Sequence, residues 1–127
     1  MVTPEDIESF LLRMEEDAEE VQPGMWVVGS EAGSLVIHHS PPLLLLRMKV
    51  MELPRDAESC NRLFRRLLEL NATDLVHGAY AIEMGDVILT DTLELERLDF
   101  DSFRAAVDSM QLSMASHLES LSPFREC

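Results

Sequence analysis

LLELNATDLVHGAYAIEMGDVILTDTLEL, residues 67–95, passes from helical spacing into strict alternation, and its reading decides the fold. Gly78 precedes AYAIEM, which reads as a strand. Gly85-Asp86 supplies a turn, and VILTDTLEL returns as the hairpin partner. Val87, Leu89, Leu93 and Leu95 share one face of that second strand, with Asp91 as the exception among them. Thr90, Thr92, Glu94 and Glu96 point the other way, after Ile88.

Upstream, DAESCNRLFRRLLELN predicts a helix capped by Asp56, with a buried stripe of Cys60, Leu63, Phe64 and Leu67 and Leu70 close beside it. Arg62, Arg65, Arg66 and Glu69 face outward. The helix is expected to stop near Asn71, a residue type that tolerates left-handed dihedrals. Before it, LLLLRMKVMEL alternates. Leu44, Leu46, Met48 and Val50 share one face, while Arg47 and Lys49 lie on the other with Leu43, Leu45 and Met51. One apolar and one mixed face suit a sheet covered by helices on one side only. MWVVGS and LVIHHS read as two further strands about the turn EAGS, and Pro41-Pro42 breaks the run.

Residues 4–20 predict the first helix. Thr3 caps it, Pro4 suits its first position, and Glu5 and Asp6 complement its positive end. Ile7, Phe10, Leu11 and Met14 form its buried stripe, and Gln22-Pro23-Gly24 stops it. Asp99 or Asp101 caps the last helix, whose stripe is Phe103, Val107, Met110, Met114, Leu118 and Leu121, and Pro123 ends it. The order α-β-β-β-α-β-β-α implies an α+β domain spanning residues 1–127, an antiparallel sheet with helices packed on it.

Charge is the strongest compositional fact. Ten Lys and Arg against 24 Asp and Glu leave a net charge of −14. Such a chain repels phosphate backbones and anionic membrane surfaces, so neither nucleic acid nor membrane is expected as a partner. Basic or mixed polypeptides suit it better, although the same charge also serves solubility alone. No apolar run approaches the roughly 20 residues that span a bilayer. The opening MVTPEDIESF carries acids where a secretory leader carries Lys or Arg, so a cytoplasmic location is expected.

Chemistry is sparse. His38 and His39 are neighbours on a strand and point to opposite faces; His77 lies in a loop and His117 on the last helix. There is no HExxH or CxxC motif and no pair of histidines four apart, so neither a metal nor a cofactor is expected. Cys60 and Cys127 read as structural or incidental thiols rather than a redox pair. Without a nucleophile elbow or a phosphate loop, catalysis is not expected. Asp91 is either a buried general base or, as such residues more often are, a sheet-margin carboxylate with local hydrogen bonds. Eight methionines, with Met14, Met48, Met110 and Met114 on apolar stripes, are read first as core filling. The alternative is an adaptable peptide-binding surface.

The entry EVQPGMWVV, the unit at residues 67–95 and the helix start LDFDSFRAAVDSM together resemble the YbjN family of suggested sensory-transduction regulators. That family shares the fold of the class I type III secretion chaperones, the Tir-chaperone-like fold. The resemblance covers almost the whole chain through loose apolar patterns. It implies a homodimer that binds a protein or peptide client without ATP. Carried onto this sequence, it implies a dimer contact at Leu63, Phe64 and Leu67, and a client groove at Leu43, Leu45 and Met51. The alternative is a non-catalytic dimeric regulatory domain that binds a folded signalling partner.

Overall fold

The computed structural model describes residues 1–125, so Cys127 lies outside it. The elements are α1 (Pro4–Arg13), β1 (Ala18–Gln22), β2 (Met25–Ser30), β3 (Gly33–Ser40), β4 (Leu43–Glu52), α2 (Ala57–Thr73), β5 (Ala79–Glu83), β6 (Asp86–Glu94) and α3 (Phe100–Arg125), with a 3-10 turn at Leu95–Arg97. The strands form one antiparallel sheet in the order β1-β2-β3-β4-β6-β5. The expected α+β class, with helices packed on an antiparallel sheet, is the class observed.

Four strands rather than three precede α2. The first helix was expected to run to residue 20 but stops at Arg13, and Glu15 adopts a left-handed φ of 57°. Residues 18–22 then pair with β2, Ala18 opposite Val28 and Glu20 opposite Trp26. A reciprocal capping box secures the start of α1, Asp6 N donating to Thr3 Oγ1 and Thr3 N to Asp6 Oδ2. Asp56 and Asp99 cap α2 and α3 by accepting from the backbone amides of Ser59 and Ser102, bonds that hold both carboxyls below the ordinary aspartate range.

α3 does not end at Pro123 but carries it inside its last turns. A proline cannot donate to the carbonyl four residues back. Here that carbonyl, on Glu119, accepts from the Ser122 hydroxyl at 3.1 Å, so it stays hydrogen-bonded. The β5–β6 turn falls at Met84-Gly85, one residue earlier than expected. Both residues have positive φ, 51° and 84°, which is the backbone of a tight type I′ hairpin.

All three helices contribute to one core. Ile7, Leu11, Leu63, Leu67, Leu70, Phe103, Val107, Met110 and Met114 pack with the inward rows of the sheet, Val28, Leu35, Ile37, Leu44, Leu46, Met48, Val87 and Leu89. Met48, Met110 and Met114 are therefore core filling, as first read. The opposite face of the sheet carries half-buried Met25, Val27, Val36, His38, Leu43, Leu45 and Ile88. The sheet is covered on one side.

Candidate functional site

The uncovered sheet face follows from the alternation of β4. Leu45 lies between His38 of β3 and Thr92 of β6, and Leu43 lies between Ser40 and Glu94. Met25, Val36, His38, Leu45 and Arg47 line a shallow cleft of about 170 Å³ there. Arg47 pairs with Glu83 at 2.7 Å, while Lys49 sits 3.7 Å from both Glu52 and Asp86. These solvent-exposed pairs each contribute little to stability.

Met51 does not share that face. The β4–β6 register shifts between Lys49 and Met51, and the extra residue turns Met51 inward to 6% exposure. An inserted residue reverses the side-chain phase beyond it, so the alternation that reads correctly from Leu44 to Lys49 fails at Met51. Leu43 and Leu45 stay together; Met51 is separated from them.

The second set of residues divides in a similar way. Leu63 and Leu67 are buried within the protomer, at 0% and 4% exposure, and belong to the core. Phe64 stays half-buried and lines a mostly apolar cleft of about 300 Å³ between α2 and β5, with Leu68, Asn71, Ala81 and Ile82. Leu68 and Ile82 are 68% and 46% exposed. The helical stripe at residues 60–70 identified the core side of α2. Leu68, an off-stripe leucine in LLEL, marks the outward apolar side.

β5 is an edge strand, and Asn71 covers part of its free edge. Asn71 Oδ1 accepts from Tyr80 N at 2.7 Å, and Asn71 Nδ2 donates to Tyr80 O at 3.2 Å. α2 continues two residues past Asn71, so the asparagine acts through its amide rather than through a left-handed backbone. The Tyr80 hydroxyl meets His117 Nδ1 at 2.6 Å, and His117 Nε2 lies 3.4 Å from Asp74 Oδ2. Burial, and secondarily the Asp74 carboxylate, push the phenol up to about 12. The phenol therefore stays protonated and is hydrogen-bonded to the imidazole through Nδ1, with Nε2 facing Asp74. This chain, buried at Tyr80 and His117 and open to solvent at Asp74, ties the end of α2, β5 and α3 together.

Asp91 lies on the inward face, opposite Leu46, just past the point where β5 begins pairing at Ala79 and Thr90. Its Oδ1 accepts from Thr92 N at 2.9 Å, and its Oδ2 lies 3.9 Å from His77 Nδ1. It lines none of these clefts. The geometry is that of a sheet-margin carboxylate with a local hydrogen bond. Among the described residues no group of three or more His, Cys, Asp or Glu side chains could hold a metal ion. Nor is any described helix long and apolar enough to cross a membrane.

A six-stranded antiparallel sheet, three helices on one face and apolar clefts at its open face and edge define a class: small α+β proteins of the secretion-chaperone-like fold. Within that class the chain belongs to the type III chaperone-like family CesT_Tir_1, whose model matches residues 2–126. Among solved structures it is similar to a chain of the heterodimeric ExoU–SpcU complex from the type III secretion system of Pseudomonas aeruginosa, at TM-score 0.70 and 15% identity. That match covers 92% of this chain and 98% of the other. YbjN from E. coli matches at TM-score 0.70 and 12% identity, over 95% of this chain and 93% of that one. A chain of the ExsC–ExsE complex matches at TM-score 0.62 and 15% identity, over 98% and 97%. At these identities the likenesses establish the fold. No curated protein sequence matches.

Proposed function

We propose that this chain is a small acidic protein-binding module that captures a polypeptide segment without ATP and acts as a homodimer. The observation that carries the reading is the uncovered sheet face, where Leu43 and Leu45 stand half-exposed beside the cleft of Met25, Val36 and His38. An extended segment lying there buries aliphatic side chains against β3, β4 and β6. Family membership supports it, as do the structural neighbours, which include the HopA1–SchA chaperone–effector complex. The acidic surface keeps the loaded module soluble. Leu43→Asp with Leu45→Asp should abolish recovery of the client that co-purifies from native cells; unchanged recovery by a folded double variant overturns the groove. A client recovered only in its folded form would instead favour a regulatory domain.

The dimer contact is assigned to the cleft between α2 and β5. Phe64, Leu68 and Ile82 form its accessible apolar surface, while Leu63 and Leu67 support it from within the core. A two-fold contact places the same patch on both protomers, so one substitution acts twice. Leu68→Glu with Ile82→Glu should convert a dimer into a folded monomer by sedimentation. A wild-type chain that sediments as a monomer at micromolar concentration excludes the assignment.

A further inference from the structure

Cys60 and Cys127 are the chain's two cysteines, and nothing in their spacing pairs them. The packing of α3 on α2 does. His117 Nε2 lies 3.4 Å from Asp74 Oδ2, and three residues further along α3, Ser120 Oγ accepts from Arg66 Nε at 3.0 Å. As α3 advances, its contacts step back along α2, so the two helices run antiparallel at this face. Cys127 is seven residues beyond Ser120, and Cys60 is six before Arg66. The register therefore points Cys127 at the first turn of α2. Two further contacts agree. The Cys60 thiol donates to Pro54 O at 3.1 Å, which turns the sulfur toward the loop between β4 and α2. Pro54 and Phe124 line one cleft of about 590 Å³, together with Met51, Leu53 and Arg55. Cys127 itself lies outside the described residues, three past Phe124, and three residues of chain reach at most about 10 Å. Cys60 is half-buried rather than sealed in the core.

We propose that Cys60 and Cys127 form an oxidation-dependent disulfide that clamps the end of α3 to the start of α2. The inference goes beyond the protein-binding reading and does not rest on it. Oxidation by a low-molecular-weight disulfide runs in two exchanges. One cysteine thiolate attacks the added disulfide, its S–S bond breaks, and one small thiol leaves. The second cysteine then attacks the mixed disulfide and releases the other small thiol. Each protein thiol loses a hydrogen, one protein S–S bond forms, and both hydrogens leave on the two small thiols. The bond turns the segment from Cys60 to Cys127 into a closed loop, which restricts the unfolded chain and so favours the folded one. It also acts where α3 most needs support, since Pro123 removes a backbone donor from the helix's last turns. A reducing environment reverses both exchanges and opens the clamp.

The test equilibrates the full chain with mixtures of reduced and oxidised glutathione and follows it by mass spectrometry. The oxidised chain should be about 2 Da lighter than the reduced one, and digestion without reductant should yield a linked Cys60–Cys127 peptide pair. The oxidation constant should be at least about tenfold larger for the folded chain than in urea, where random loop closure alone brings the sulfurs together. By the thermodynamic cycle the oxidised chain gains that same factor in stability, read as an upward shift of its urea midpoint that dithiothreitol reverses. Cys60→Ser and Cys127→Ser should each abolish the mass loss and leave the remaining sulfur as a glutathione mixed disulfide. Equal oxidation constants in folded and unfolded chains overturn the clamp, because the fold then does nothing to pair the sulfurs. So does a folded chain that resists oxidation or ends with two glutathionyl groups. A covalent dimer on a gel without reductant assigns the thiols to contacts between copies and likewise overturns it. None of these outcomes bears on client capture through Leu43 and Leu45.

Discussion

Gly78→Val should destabilise the protein by about 3 kcal/mol or more, through left-handed backbone strain added to overpacking. Gly78 holds φ at 82°, a conformation that β-branched residues avoid. A Cβ built there would lie 2.8 Å from the carbonyl oxygen of Thr90 and 3.6 Å from the Asp91 Cβ. The obstacle is backbone rather than a pliable side-chain end. Thr90 belongs to β6, clamped between β4 and β5, and its hydroxyl donates to Leu46 O at 3.2 Å. The clash must therefore be relieved by moving the start of β5 away from β6. Urea unfolding should rank glycine above alanine and alanine above valine. An alanine variant within about 0.5 kcal/mol of the parent, the range of ordinary surface substitutions, would show that the approach tolerates a Cβ. The partly unzipped β5 should also disturb the proposed dimer contact, since Ile82 and the edge fixed by Asn71 travel with it.

Local pattern and nonlocal pairing account for what could and could not be read from the sequence. The hairpin at residues 79–94, the inward row of β4 and most of the stripes of α2 and α3 are legible because each face is set by residues two, three or four apart. Cys60, Phe64 and Leu118 are only half-buried, however, and His117 is buried in the α3 face instead. β1 is not legible. EEDAEEVQ is rich in good helix formers and carries little alternation, and only its pairing with β2 makes it a strand. Met51 failed for a different reason: one extra residue near Lys49 reverses the phase, and no local signal marks the bulge. Leu63 and Leu67 show that a single apolar stripe serves the protomer's own core first. The accessible patch beside α2 combines half-buried Phe64 at the edge of the stripe with Leu68 outside it and Ile82 on a different element. The cleft lined by Leu11, Leu12 and Trp26 joins α1 to the β1 edge, a packing that the local sequence pattern hides because residues 15–20 carry helical composition. Asn71 was visible as a helix end, but its two bonds to Tyr80 depend on where β5 docks.

Phe103→Ala should cost about 3–5 kcal/mol, the range for removing a fully buried aromatic ring. Phe103 is 0% exposed, and its ring centroid lies 5.5 Å from that of Phe10, which meets Phe100 edge-on at 5.7 Å. Arg13 stacks over Phe100 at 3.7 Å on the outer side of the same cluster. These rings join α1 to α3. α1 is ten residues long, too short to persist on its own propensity, so its stability comes from this packing and from its capping box. The loss should therefore fall unevenly. Amide exchange over residues 4–13 should accelerate more than exchange over α2, and Trp26 emission should shift to the red as Leu11, which lines a cleft with it, loosens. Phe103→Leu should recover most of the stability, since it restores much of the lost volume. Equal acceleration across α1 and α2 would mean that α1 opens only with the whole fold. In that case α1 is as firmly held as the sheet itself.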